Sequence, residues 1–293
     1  MQWQTSRFTI ELDRPRVMGI VNTTPDSFSD GGQHADAATA IAHCERLLKE
    51  GADILDIGGE SSRPGAPRLS DEDEWARVAP VLKAAIGMGV PVSIDTCKTT
   101  LMQRALDLGV DIVNDIQALR ADGAIEVLAQ HPSAGVCLMH MRGEPGTMQQ
   151  LTDYDDVAQA VSDFLADRAA ACVTAGIAAA RITLDPGYGF AKTVEQNFEL
   201  LRRQGELLGL GYPLLVGWSR KSSLGVITGR PVDERMPASI SAALAALAHG
   251  ARVLRVHDVA ATVDALKVWQ VAAGPGFAFS ENAAISHSGG CSQ

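Results

Sequence analysis

The chain has 293 residues, 46% hydrophobic and 20% charged, a globular profile with room for one large domain or two small ones. Its formal net charge of −10 argues against a nucleic-acid partner, because neutralising a phosphate backbone needs clustered Lys and Arg. No apolar run approaches the roughly 18 residues of a membrane span and the first residues lack a signal-peptide core, so no membrane association is expected and the expected compartment is the cytoplasm.

In chain order, "FTIEL" (8–12) reads as a hairpin-like strand ahead of the main fold, placed to plug a barrel bottom. Eight short apolar runs follow: "VMGIV" (17–21), "DILDIG" (53–58), "PVSID" (91–95), "DIVND" (111–115), "GVCLMH" (135–140), "RITLD" (181–185), "PLLVGW" (213–218) and "RVLRVH" (252–257). They are rich in β-branched residues and too short for helices. Near-continuous apolarity, rather than alternation, marks parallel strands buried on both faces. Between them lie amphipathic helical stretches such as "ADAATAIAHCERLLKEG" and "DEDEWARVAPVLKAAIGMG". Gly51, Gly89, Gly109, Gly176 and Gly250 each follow a helical run, where a left-handed C-cap suits glycine.

Strand–helix alternation repeated eight times predicts an α/β fold, a (β/α)8 TIM barrel with a short N-terminal extension. An open, doubly wound sheet is the rival, and eight near-regular units favour closure. The barrel domain is expected over residues 1–278, with 279–293 a disordered tail lacking periodicity. Five cysteines, at 44, 97, 137, 172 and 291, form no Cys-x-x-Cys pair and read as small apolar residues of a reducing compartment.

Each strand ends in a polar group: Asn22; Glu60 with Ser61; Asp95; Asn114 with Asp115; His140; Asp185; Ser219 with Arg220 and Lys221; Arg255 with His257. Any one of them is explained as well by helix capping. Eight together mark a ligand site at the C-terminal rim, where barrels of this kind place their chemistry. Asp95 and Asp185 end strongly apolar strands, where an unpaired carboxylate is costly, and one of them would bind paired N–H donors of a flat heterocycle. Asn114 adds both donor and acceptor. Arg63, Arg255, His257 and the "SRKS" turn, the last at an expected helix N-terminus, form a cationic group for an anion. "TTPDSFSDGG" after the first strand reads as a mobile lid with Phe28 at its tip.

The motifs "NTTPDSFSDGG", "DIGGESSRPGA", "SIDT", "NDI", "LMHMRGEPGTMQ", "LDPGYGFAKT", "LLVGWSRKS" and "LRVHDV", in this order between about residues 17 and 270, resemble the bacterial dihydropteroate synthase family. The resemblance implies condensation of 6-hydroxymethyl-7,8-dihydropterin pyrophosphate with p-aminobenzoate, with Mg²⁺ as cofactor. It implies Asp95, Asn114, Asp185, Lys221, Met139 and Phe190 around the pterin, and Asn22, Arg63, Arg255 and His257 around the pyrophosphate, Asn22 reaching the metal. Ser62, Pro64, Phe28, Phe190, Ser219 and Ser222 would line the aminobenzoate side, where sulfonamides compete. Catalytic roles fall to Asp95, Lys221 and Arg63, and a homodimer is implied. Where many relatives read Glu-Ser-Thr-Arg-Pro, this chain has Ser61-Ser62-Arg63-Pro64, keeping a hydroxyl and losing a methyl contact.

The mechanism expected is C–O cleavage ahead of amine attack, since an electron-rich dihydropterin stabilises a methylene cation and Asp95 would support it. Replacing Arg255 is expected to harm binding of the phosphorylated substrate far more than binding of a bare pterin. The rivals are a barrel that transfers a methyl group from methyltetrahydrofolate to a corrinoid protein, and a pterin-binding barrel without turnover. The first has no need of Arg63, the "SRKS" turn or the Arg255–His257 pair, and the second is opposed by the filling of every expected polar position.

Overall fold

In the computed structural model, which describes residues 1–23, 32–61 and 68–273, the eight apolar runs become eight parallel strands. They follow an antiparallel pair, β1 (Gln2–Gln4) and β2 (Thr9–Glu11). The barrel strands are β3 (Arg16–Asn22), β4 (Ile54–Gly58), β5 (Val92–Asp95), β6 (Ile112–Asp115), β7 (Gly135–Met139), β8 (Ile182–Asp185), β9 (Leu215–Val216) and β10 (Val253–Val256). Their order is β8-β7-β6-β5-β4-β3-β10-β9, and a parallel bridge from Leu184 to Leu214 joins the two ends into a ring. The expected barrel is therefore the observed one.

Helices α1 (Gly32–Lys49), α2 (Asp71–Ile86), α3 (Thr99–Leu108), α4 (Ala124–Gln130), α5 (Val157–Thr174), α6 (Val194–Arg203), α7 (Ser222–Thr228), α8 (Met236–Ala248) and α9 (Val259–Ala273) surround it. All five glycines expected at helix ends have positive φ. Gly109, at φ 102°, turns its N–H back onto the carbonyls of Ala105 and Leu106, closing α3.

Side chains alternate across each strand. Val17, Leu55, Val92, Val113, Val136, Ile182, Val216 and Leu254 point outward and join one continuous apolar core with the helices. The opposite parity points into the barrel. Its lower end is closed by Met18, Ile54, Ile112, Leu215 and Val253 packed on Trp3, Ile10 and Leu12 of the β1–β2 pair. The Trp3 indole Nε1 donates to the Arg181 carbonyl at 2.9 Å, so the plug is hydrogen-bonded as well as packed. The expected plug strand thus exists, but its partner β1 was not foreseen, because three residues reading Gln-Trp-Gln carry too little pattern.

β9 is shorter than the run 213–218 suggested. Pro213 has no N–H to give a ladder. The Leu214 carbonyl is already taken by the N–H groups of both Arg252 and Val253. The expected tail, 279–293, lies outside the described residues together with 274–278, as do 62–67 and 24–31, the greater part of the stretch read as a lid. Cys44, Cys137 and Cys172 are buried and Cys97 half-buried, none of them in a disulfide. Among the described residues no helix is long and apolar enough to cross a membrane.

Candidate active site

Above the plug, the inward positions change from apolar to polar. Asp56 lies two residues beyond Ile54 on β4 and Arg255 two beyond Val253 on β10, so both share the inward parity of the plug contacts. Arg255 spans the barrel: its Nε donates to Asp56 Oδ2 at 2.6 Å and its Nη2 to Asp95 Oδ2 at 2.5 Å. Asn114 Nδ2 donates to the same Asp56 oxygen at 3.2 Å. Asp95, Asn114 and Arg255, assigned from sequence to two different halves of the site, are thus parts of one wired cluster. Loss of Arg255, expected to fall far more on the phosphorylated substrate than on a bare pterin, would therefore also unpair Asp56 and Asp95.

Asp56, fully buried, is the member that sequence reasoning missed. The signal was a carboxylate in the middle of an apolar strand rather than at its end, which burial alone makes costly without a cationic partner. Asp56 Oδ1, Ser93 Oγ and Thr183 Oγ1 are buried with no partner among the described residues, so the barrel interior offers polar groups to a ligand. Burial pushes the Asp95 carboxyl up to about 7, against the opposing pull of Arg255 and with help from Asp56. Burial disfavours the Arg255 cation, but the Asp56 and Asp95 carboxylates outweigh it and hold the guanidinium charged.

Asp185 ends β8 on the other side of the mouth. Its Oδ1 accepts from Gly187 N at 2.7 Å, which leaves Oδ2 for a ligand. Burial raises its pKa, while the Gly187 bond, Lys221, Arg255 and Lys192 oppose the rise. Lys221 precedes α7, and its Nζ stands 4.2 Å from the centre of the Phe190 ring. Burial brings that ammonium down to about 8, with Asp185 opposing. Phe190 and Met139 belong to an apolar cluster with Met141, Met148 and Ala191. Apolar surface beside a carboxylate and a cation is what a flat polar ring requires.

The loops after β9 and β10 are joined to each other. Ser219 Oγ lies 2.9 Å from His257 Nδ1 and accepts from the His257 backbone N–H at 3.1 Å. Arg220 takes a left-handed φ of 59°, its N–H donating to Ser239 Oγ and its guanidinium reaching both Asp258 oxygens, at 3.1 and 2.6 Å. The Arg220 charge expected in the anion pocket is therefore spent on Asp258. Ser222 is the exposed first residue of α7, and Asn22 ends β3 half-buried beside Gly58. Of the other strand-end groups, Glu60 accepts from Lys98 Nζ at 2.8 Å and Asp115 accepts the N–H groups of Gln117 and Leu119. These two serve the rim loops, and neither is a helix cap, those places belonging to Ser70 for α2 and Gly123 for α4. Phe28, Ser62, Arg63 and Pro64 lie outside the described residues.

Among the described residues no cluster of three or more His, Cys, Asp or Glu is arranged to hold a metal ion. One amide oxygen at Asn22 still suits Mg²⁺, which keeps most of its shell as water and phosphate oxygen. The donor set fits an ion that arrives with a phosphorylated substrate.

A family model described as pterin binding enzyme matches residues 18–257. The chain is 56% identical over 272 residues to the dihydropteroate synthase of Neisseria meningitidis serogroup C, covering 92% of this chain and 96% of that protein. Its fold is similar to that of the Xanthomonas albilineans dihydropteroate synthase solved with 4-aminobenzoic acid, at TM-score 0.86 and 48% identity, covering 91% of this chain and 96% of that one. It is similar too to the Yersinia pestis dihydropteroate synthase solved with a sulfonamide drug, at TM-score 0.88 and 42% identity, covering 93% and 99%.

Proposed function

Because this chain belongs to the pterin binding enzyme family, we infer that its barrel mouth carries out the dihydropteroate synthase reaction of folate biosynthesis. It joins 6-hydroxymethyl-7,8-dihydropterin pyrophosphate to p-aminobenzoate, giving 7,8-dihydropteroate and pyrophosphate. The observation that carries the reading is the wired polar mouth: Asp56, Asp95, Asn114 and Arg255 in one cluster, with Asp185 and the Lys221–Phe190 contact beside it.

The free Asp185 oxygen accepts the N–H groups of the pterin's amino-pyrimidinone edge, while Asn114 serves its remaining donors and acceptors. Met139 and the Phe190 ring pack against the heterocycle, and Lys221 closes that side. As the C–O bond breaks, its electron pair leaves with pyrophosphate and positive charge grows on the methylene carbon. Asp95, kept usable as an anion by Arg255, stabilises that charge. The aromatic amine then forms the new C–N bond and releases its proton to phosphate or water. Asn22, Arg63, Arg255 and His257 receive the pyrophosphate. Arg255 can do so while paired, since Nε and one Nη2 proton leave further donors free. Bound Mg²⁺ would neutralise leaving-group charge, with Asn22 as its protein ligand.

Ser62, Pro64 and Phe28 from the two rim loops, with Phe190, Ser219 and Ser222, form the aminobenzoate side, and sulfonamides compete there. A homodimer is supported by exposed Val226, Ile227, Val232 and Met236 on α7, α8 and the turn between them. Free Cys44, Cys97, Cys137 and Cys172 among the described residues support a cytoplasmic location. The test is incubation with both substrates and Mg²⁺ while following pyrophosphate. Stoichiometric release with dihydropteroate is expected; tight pterin binding without release would overturn the reading.

A further inference from the structure

Lys192 is only 3% exposed, and among the described residues no carboxylate stands among its hydrogen-bond partners. Its Nζ donates to the carbonyls of Gly187 and Phe190, at 2.9 and 3.0 Å, and lies 3.0 Å from His140 Nδ1. His140 is buried, packed edge-on against Phe164, and burial together with the Lys192 charge brings its pKa down to about 2. A neutral imidazole can accept the third ammonium proton, so the lysine is fully satisfied without an ion pair. A buried cation held only by neutral groups is costly, and burial pulls its pKa down to about 7.

What those three bonds hold is the turn from Asp185 to Phe190. Gly187 binds Asp185 Oδ1 through its N–H and Lys192 through its carbonyl. Its φ is +69°, and a Cβ there would meet the His140 carbonyl oxygen at 2.0 Å. Gly189, at φ +82°, passes close under Lys221, whose Cδ would lie 3.1 Å from an added Cβ. Phe190, at the end of the turn, supports the Lys221 ammonium. The positive charges that counter the burial of Asp185 are Lys221, Arg255 and Lys192, in that order.

We propose that Lys192 is a positioning residue for pterin recognition: its bonds to the Gly187 and Phe190 carbonyls fix the Asp185–Phe190 turn, and they hold its ammonium in the surroundings of the Asp185 carboxylate. The proposal rests on the functional reading above, which puts the pterin on Asp185. Among the described residues Lys192 has no bond to the groups assigned to pyrophosphate.

The experiment compares wild type with Lys192→Met, which keeps length and apolar stem, using binding of 6-hydroxymethylpterin and of pyrophosphate with Mg²⁺ between pH 6 and 7.5. Lys221 from the loop after β9, Arg255 on β10, Asp56 on β4, Asp95 on β5 and Cys137 on β7 also face this region. They are common to both proteins. The expected result is a tenfold or greater loss of pterin affinity in Lys192→Met with less than twofold change for pyrophosphate. The loss should grow as pH falls, because without the neighbouring ammonium Asp185 takes up a proton more readily, whereas in wild type Lys192 is most fully charged there. Lys192→Arg, which restores donors and charge, should recover part of the affinity if it folds. Equal losses for both ligands, or a loss independent of pH, would reduce Lys192 to a merely structural role and overturn the proposal. Should wild type bind no pterin at all, the functional reading itself fails; should wild type bind and Lys192→Met bind equally, only this inference fails.

Discussion

Replacing Arg255 by Met tests the wiring of the barrel mouth through stability rather than turnover. Met preserves most of the side-chain volume, so the perturbation is electrostatic. Asp56, fully buried, loses its only cationic partner among the described residues, and Asp95, whose side chain is 20% exposed, loses the other end of the same guanidinium. Breaking a buried ion pair from one side costs about 3–5 kcal/mol, because the remaining charge stays desolvated. At roughly 2–4 °C per kcal/mol for a large domain, the melting temperature should fall by about 6–20 °C. The pH dependence has a defined sign. The folded pKa of Asp95 is raised to about 7, above its ordinary value of 3.8, so the folded state binds more protons than the unfolded one between those limits. Stability from this group is therefore lost as pH rises through that window. Without Arg255 the folded pKa rises further, so the gap between wild type and variant should be wider at pH 8.5 than at pH 6, where Asp95 is protonated in both. Thermal and urea melts at the two pH values make the measurement. Adding Asp56→Asn to the variant should recover part of the loss. A fall of less than 2 °C, or an equal fall at both pH values, would refute the reasoning.

Trp3→Ala should cost about 3–5 kcal/mol through loss of the plug's largest buried side chain. Urea melts measure it, and turnover of the folded fraction at low temperature should be unchanged because the plug closes the end opposite the site. Gly187→Ala should abolish pterin binding measured by calorimetry, since the new Cβ would meet the His140 carbonyl at 2.0 Å and the turn must move. Asp185→Asn should weaken pterin binding by roughly 10- to 100-fold, the worth of losing charged hydrogen bonds in a buried site, because an amide cannot accept from two N–H groups there; unchanged affinity would remove Asp185 from the recognition role.

The barrel was legible because its strands are short apolar runs on a regular repeat, and burial on both faces leaves few other structures for them. The rim was legible for the same reason: a polar residue just beyond an apolar run, as at Asn22, Asp95 or Asp185, stands out. Asp56 and Lys192 did not stand out, for different reasons. Asp56 lies inside a strand, and its inward orientation follows only once the parity of Ile54 is known from the plug. Lys192 is separated from His140 by 52 positions and meets it only through the close approach of Gly187 to the His140 backbone. Nor could spacing reveal that Arg220 is tied to Asp258, or that Ser219 and His257 share a hydrogen bond across 38 positions.

The distribution of these groups also explains how the fold tolerates so much buried charge. Asp56 and Arg255 stand between an apolar plug and an open mouth, and the outward positions of the surrounding strands are apolar except at Asp115, which ends β6. Packing energy thus comes from the outer shell and the barrel floor, which are independent of the polar interior. Within that interior Arg255 on β10 is answered by carboxylates on β4 and β5, and Asn114 on β6 donates to the β4 carboxylate, all across strands distant in sequence. These bonds require closure, because an open sheet in the same strand order would leave β10 beside β3 and still too far from β5 for one guanidinium to serve both carboxylates. Ring closure and the recognition cluster therefore support each other, and a change that loosens the Leu184–Leu214 bridge should be felt at Asp95 before it is felt in the helices.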